Sequence, residues 1–255
     1  MKKKLLSLAA CALMGTAASA QVNVQFHYDL GRQFYPQSQN DRQHFTATLE
    51  QFRPDRLGNI FYFIDLDFYS KGMKGAYLEF SREFNVSAKG LAAHIEYNGG
   101  LTTGHHCEYT SQFQHVFLLG PSYNHASADF RRIWSVQALF RQTFGGQFDA
   151  SAYPGWQLTG VWGIRFARDD MFTFSGYIDL WRGHKGGGDY QVVAMTEPQL
   201  WYNFDSMRGA RKTHLSIGTE WEMSHNFIYP TAGHKRFYLN PTIALKWTMK
   251  GDASK

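Results

Sequence analysis

The stretch NIFYFIDLDFYS, Asn59 to Ser70, is the most hydrophobic strand-like run in the chain, yet it carries two aspartates, Asp65 and Asp67. Carboxylates are costly to bury without partners. Successive side chains of a strand point to opposite faces. Read that way, Ile60, Tyr62, Ile64, Leu66 and Phe68 share one face, and Phe61, Phe63, Asp65, Asp67 and Tyr69 share the other. The first face suits lipid throughout, while both carboxylates fall on the second. A wall between acyl chains and a polar lumen accounts for both halves of the pattern.

The same period of two runs through most of the chain. Val22, Val24, Phe26, Tyr28 and Leu30 alternate with Asn23, Gln25, His27 and Asp29, and Leu91, Ala93, Ile95 and Tyr97 alternate with Ala92, His94, Glu96 and Asn98. Strict alternation of this kind marks a strand with one apolar and one wet face. Twelve segments satisfy it, at about 22–31, 44–52, 59–69, 75–84, 90–98, 113–123, 129–141, 156–165, 172–181, 191–204, 213–224 and 236–248. Each is close to the 9–11 residues that a tilted strand needs to cross a bilayer. Most connections alternate in length, with long ones at 31–43, 99–112, 142–155, 182–190 and 225–235 and shorter ones between them; 70–74 is short where a long one is due. An even strand count with alternating turns and loops predicts an all-β fold: a single 12-stranded antiparallel transmembrane β-barrel. Tyr28, Trp156, Trp162, Phe237 and Trp247 fall near strand ends, where aromatic girdles lie. Pro121, Pro198 and Pro241 sit inside predicted strands, where each removes a ladder hydrogen bond.

The N-terminus reads as a targeting segment. Lys2, Lys3 and Lys4 precede an apolar centre from Leu5 to Met14 and the small residues Ala18-Ser19-Ala20, which predicts a signal peptide over 1–20 and a barrel over 21–255. Leu8-Ala9-Ala10-Cys11 offers a rival lipobox, but it leaves only the six residues Leu5 to Ala10 as an apolar core. Removing the three lysines lowers the formal charge from +5 to +2, and no basic tract points to nucleic acid. Cys107 alone then remains, so no intramolecular disulfide forms. The expected location is the outer membrane, with its lipids as the surroundings and small-molecule solutes as cargo.

With the termini periplasmic, odd-numbered strands run outward. Asp29, Asp65, Asp67, Glu96, Asp179, Glu220 and Glu222 then gather in outer strand halves, with Tyr77 and Glu79 near the outer end of the inward-running fourth strand. The expectation is an acidic outer vestibule lined also by Tyr69, Tyr177 and Trp181, with Arg165 and Lys246 at inner strand ends. Carboxylates accept hydrogen bonds from hydroxyl groups, and aromatic faces stack on rings. The competing expectation is that these acids pair with arginines such as Arg32 and Arg141 and fill a plugged lumen, as side chains do in small barrels.

The run FTATLEQFRPDRLGNIFYFIDLDFYS, followed by GAYLEFSREFNVS, resembles the Tsx-type nucleoside-specific channels, and FTFSGYIDLWRG resembles their aromatic strand ending in an Asp/Trp pair. The match is clearest over Phe45 to Ser87. The resemblance implies a monomeric twelve-stranded barrel with a narrow lumen binding nucleosides, and it carries over Glu50, Phe61, Asp65, Glu79, Asp179 and Trp181 as ligand contacts. The chain departs from that family in its loops and C-terminal end.

Enzymatic readings are weaker. His214-Leu215-Ser216 has the His-x-Ser spacing of barrel hydrolases, but it shares a face with Glu220 and Glu222 and lacks a third orienting partner. His125-Ala126-Ser127 falls in a predicted turn. His105-His106-Cys107-Glu108 places its ligands side by side, unlike the spaced ligands of a tetrahedral site. Gly186-Gly187-Gly188 lacks the lysine of a phosphate loop. No catalytic residue, metal or cofactor is assigned.

Overall fold

A computed structural model describes residues 21–39, 41–70, 72–103, 110–112, 114–145, 152–186, 189–207, 209, 212–227 and 235–250. The expected signal segment, the His105–Glu108 loop and the tail after Lys250 lie outside them. Strands β1 (Gln21–Asp29), β2 (Phe45–Asp55), β3 (Gly58–Tyr69), β4 (Gly72–Asn85) and β5 (Leu91–Thr103) follow one another as antiparallel neighbours. A four-residue helix, α1 (Gly31–Phe34), intervenes after β1. A short β6 (Thr110–Gln112) pairs only with β5. The wall continues through β7 (Val116–Ala126), β8 (Arg132–Thr143), β9 (Tyr153–Phe166) and β10 (Phe172–Gly186).

Next come β11 (Asp189–Thr196) and β12 (Gln199–Asn203), which both pair with β10 on one side and with β13 (Leu215–His225) on the other. They are two halves of one barrel strand, broken at Glu197-Pro198. β14 (Phe237–Lys250) pairs with β13 and then with β1, so the sheet closes on itself as a 12-stranded antiparallel barrel with β6 outside it. Closure leaves no open sheet edge in the wall, the condition for standing in lipid.

Burial runs inside out. On β1, Gln25 and His27 are 2% and 4% exposed, whereas Phe26 and Tyr28 between them are 45% and 48% exposed. The outward set elsewhere includes Phe117, Leu119, Phe140, Leu158, Val192, Ile243 and Leu245, all large, apolar and exposed. Tyr28, Trp156, Phe237 and Trp247 of the expected girdles belong to it too. Inward positions carry Asn23, Ser81, Glu83, His94, Ser122, Gln157 and Asn240, all buried. A soluble fold places these classes the other way round.

Two expectations about connections change. In the long loop expected at 182–190, residues 182–186 and 189–190 instead continue the wall, because β10 runs to Gly186 and β11 begins at Asp189. Arg182 lies over the Tyr190 ring at 3.5 Å and His184 packs edge-on to it, so cross-strand contacts override the loop signal of the glycines. The loop at 99–112 is shortened similarly, by β5 reaching Thr103 and by β6. Pro121 and Pro241 do lie within strands. The β7–β8 ladder skips from Leu119 to Ser122 and the β13–β14 ladder from Gly218 to Trp221, at the positions these prolines occupy or adjoin.

Candidate functional site: the polar lumen

The strand phase fixed by β1 carries around the barrel through the cross-strand registers, and all twelve residues singled out from the sequence belong to strands of its wall. On β2 and β3, acids and hydroxyls face each other as rungs. Thr46 donates to Asp67 at 2.6 Å and Thr48 to Asp65 at 2.5 Å, each pair being direct cross-strand neighbours. One rung further in, Glu50 accepts from Asn23 at 2.8 Å. Phe63 opposes Glu50 and packs between Phe61 and Tyr77 at 6.1 and 6.0 Å between ring centres. Tyr77 donates to Glu79 at 2.9 Å. Tyr69 stands at the outer end of β3, opposite Gly72.

Across the lumen, Thr159 donates to Asp179 at 2.5 Å. Trp181, next on that face, receives the Arg141 guanidinium over its ring at 5.2 Å, and Arg141 also donates to Gln157 at 2.5 Å. Glu96 contacts His94 at 2.9 Å, and His94 reaches Glu83 at 3.2 Å on its other side. Glu220 accepts from Gln199 at 2.6 Å. Because β4, β5 and β10 are longer than the sequence segments, Glu79, Glu96 and Asp179 stand near strand midpoints rather than in outer halves. The acids form a file down the lumen, and only Asp67, Asp29 and Glu222 belong to its mouth.

A continuous polar chain lines the β1 wall. Gln25 donates to Asn23 at 2.8 Å and lies 3.0 Å from His27, whose other ring nitrogen is 3.1 Å from Thr242. At the inner end Trp201 is fully buried, donating to Gln199 at 2.9 Å, with the Lys246 ammonium 4.0 Å above its ring. Its indole lies against Gly218, where a Cβ would come within 2.5 Å of the ring. A glycine at that position is what lets the bulky ring lie against the wall.

Arg42 was not anticipated. The expected partners of the acids were Arg32 and Arg141, but Asp29 and Glu222 are both held by Arg42: Nε donates to Asp29 at 2.8 Å, and Nη1 and Nη2 donate to Glu222 at 3.1 and 2.6 Å. Burial alone would pull its pKa down, but Glu222 and Asp29 outweigh burial and hold it above the ordinary arginine value. Arg42 sits in a connection without periodicity, so no sequence pattern points to it. Glu197, in electrostatic range of Glu220, Glu222 and Asp65, was missed as well. Its one signal was the neighbouring Pro198 inside a strand-like run.

The His-x-Ser motif gains an orienting acid without becoming a catalytic set. His214 Nδ1 lies 2.8 Å from Asp205, but Ser216 donates to Asn203 at 2.8 Å inside the lumen. Among the described residues no cluster of three or more His, Cys, Asp or Glu side chains is arranged to hold a metal ion.

A closed antiparallel wall, apolar outside and carboxylate-lined within, defines a β-barrel of the outer-membrane type. The chain belongs to the family described as Domain of unknown function (DUF5020), whose model matches residues 20–249. Curated proteins give no match. Among solved structures, the chain is similar to the NanC porin at 11% identity and a TM-score of 0.53, covering 90% of this chain and 98% of that one. LpxR from Salmonella typhimurium aligns at 8% identity and a TM-score of 0.46, over 89% and 99% of the two chains. The outer membrane channel DcaP of Acinetobacter baumannii aligns at 11% identity and 0.38, over 91% and 96%. At 11% identity the likeness to the NanC porin is one of fold.

Proposed function

We propose that this protein is a monomeric outer-membrane channel for small hydrophilic solutes, with nucleosides as its preferred class. The observation that carries this reading is the luminal file of carboxylates, most of them set beside a hydroxyl or amide donor, Glu96 beside His94, and several beside aromatic rings. An ionised carboxylate can accept about four hydrogen bonds, and a threonine hydroxyl supplies one. Asp65, Asp67 and Asp179 therefore keep acceptor capacity for the hydroxyls of a passing solute. Phe61, Phe63, Tyr77 and Trp181 supply ring faces in the same stretch, which suits a solute with a flat base and a polyhydroxyl sugar. The resemblance over Phe45 to Ser87 supports the same class.

The burial of Trp201 and the bridging of Asp29 and Glu222 by Arg42 favour a second reading, a ligand-binding barrel whose lumen is filled. Planar-bilayer recordings separate the two. A channel of the proposed kind conducts weakly, and its current falls as nucleosides are added, with ribose and free bases less effective. Conductance indifferent to every nucleoside would remove the substrate assignment, and absence of conductance would favour the filled barrel.

A further inference from the structure

Between β1 and β2, several of the described residues of the connection 30–44 are tied to the barrel wall, while Phe34 is exposed. Gly31 is buried, and a Cβ there would meet Asn240 Oδ1 at 2.5 Å and Asp29 Oδ1 at 2.9 Å. Tyr35 packs edge-on against Tyr238 at 5.0 Å, itself 1% exposed, and its hydroxyl accepts the Leu239 amide at 3.1 Å. The Lys74 ammonium contacts the Asp41 carbonyl from β4. The fork from Arg42 to Asp29 and Glu222 then ties the segment to two strands on the same side of the barrel, with all three side chains at least 86% buried. Asn240 adds a bond to Glu222 at 3.0 Å.

We propose that residues 30–39 and 41–44 form a latched constriction of the outer mouth, and that Arg42 is the residue that fixes it and sets the charge a solute meets there. Charge-assisted, bidentate bonds are about twice as strong as neutral ones and impose one geometry. Asp29 and Glu222 belong to the wall, so loss of the guanidinium removes the bonds that tie the segment to β1 and β13 and leaves two buried carboxylates short of a partner. Asp67 stands within electrostatic range of Arg42, Lys74 and Glu222, so the constriction carries both signs while the lumen below is acidic. Only the selectivity part of this proposal rests on the channel reading.

The test compares wild type with Arg42→Gln and Arg42→Lys in reconstituted barrels, by hydrogen exchange of residues 31–44 and by single-channel recording. The amides of Tyr35, Gln39 and Arg42 bond within the segment and report on it directly. Arg42→Gln should speed their exchange at least tenfold with β1 amides unchanged, raise conductance severalfold and increase cation preference; Arg42→Lys, which keeps charge without the fork, should fall between. The double variant Asp29→Asn, Glu222→Gln should release the segment equally and guards against a folding failure of the single one. Exchange equal to wild type in both variants would overturn the latch. Fast exchange with unchanged conductance and selectivity would overturn the constriction. Fast exchange in barrels that never conduct would support the latch and count against the channel reading instead.

Discussion

Asp65 and Asp67 keep their places because Thr48 and Thr46 stand directly across the ladder, each donating one hydroxyl to a carboxylate that still faces the lumen. A unit charge about 7 Å from a passing ion in water-like surroundings is worth about 0.6 kcal/mol, or roughly threefold in relative permeability. Each charge favours the cation and disfavours the anion alike, so replacing both with asparagine should lower the cation-over-anion ratio by roughly fiftyfold, read from reversal potentials; an unchanged ratio would show that these acids do not face the ion path. Trp201 makes the opposite kind of contribution, filling space. Trp201→Ala removes a fully buried indole and its bond to Gln199, which should cost about 3–5 kcal/mol and be visible as a lower Tm. If the indole also narrows the inner end, the surviving barrels should conduct more. Arg42 shows where residue-level reading stops, because its two partners lie 13 and 180 residues away and only the closed barrel brings them together.

At the scale of the element, alternation was legible wherever one face had to be apolar, and it placed all twelve wall strands, β3 among them to within a residue. It failed where polarity did not distinguish the faces. Inward positions of β11 and β12 include Val193, Met195 and Trp201, so neither face looked wet and Glu197 went unnoticed. The break there is held by Gly176 on β10, whose φ of +151° and whose clearance of 2.5 Å to the Glu197 carbonyl exclude a side chain. Gly176→Val should cost about 1–3 kcal/mol in backbone strain and slow refolding, as followed by heat-modifiable gel migration. The β12–β13 turn has a titratable anchor of its own. Burial pushes Asp205 up, but the amides of His214 and Thr213 and the nearby His214 ring outweigh it and hold its pKa below the usual value. A depressed folded pKa stabilises above the unfolded pKa, about 3.9, and that stability is lost as pH falls through the folded value. Asp205→Asn should thus speed exchange of the Thr213 and His214 amides at neutral pH, with the difference from wild type shrinking as pH falls through the folded pKa.

For the whole molecule, closure of β14 on β1 turns twelve half-apolar strands into one wall whose two faces meet different solvents. That much was readable from the sequence, because lipid imposes the same demand on every strand. The depth of each acid was not, since depth depends on how far the strands continue: β5 reaches Thr103 and β10 reaches Gly186, which moves Glu96 and Asp179 from the expected vestibule to mid-lumen. Nor was the anchoring of Tyr35 and Arg42, which depends on contacts with β14 and β13. The central claim is that the lumen is an ion path lined by carboxylates, with Arg42 as a counter-charge at its mouth. The most direct test is the reversal potential of the purified barrel in a planar bilayer under a KCl gradient. A narrow conductance with clear preference for potassium over chloride is the predicted result, and an anion-selective pore, or a sealed barrel with no conductance at all, would contradict it.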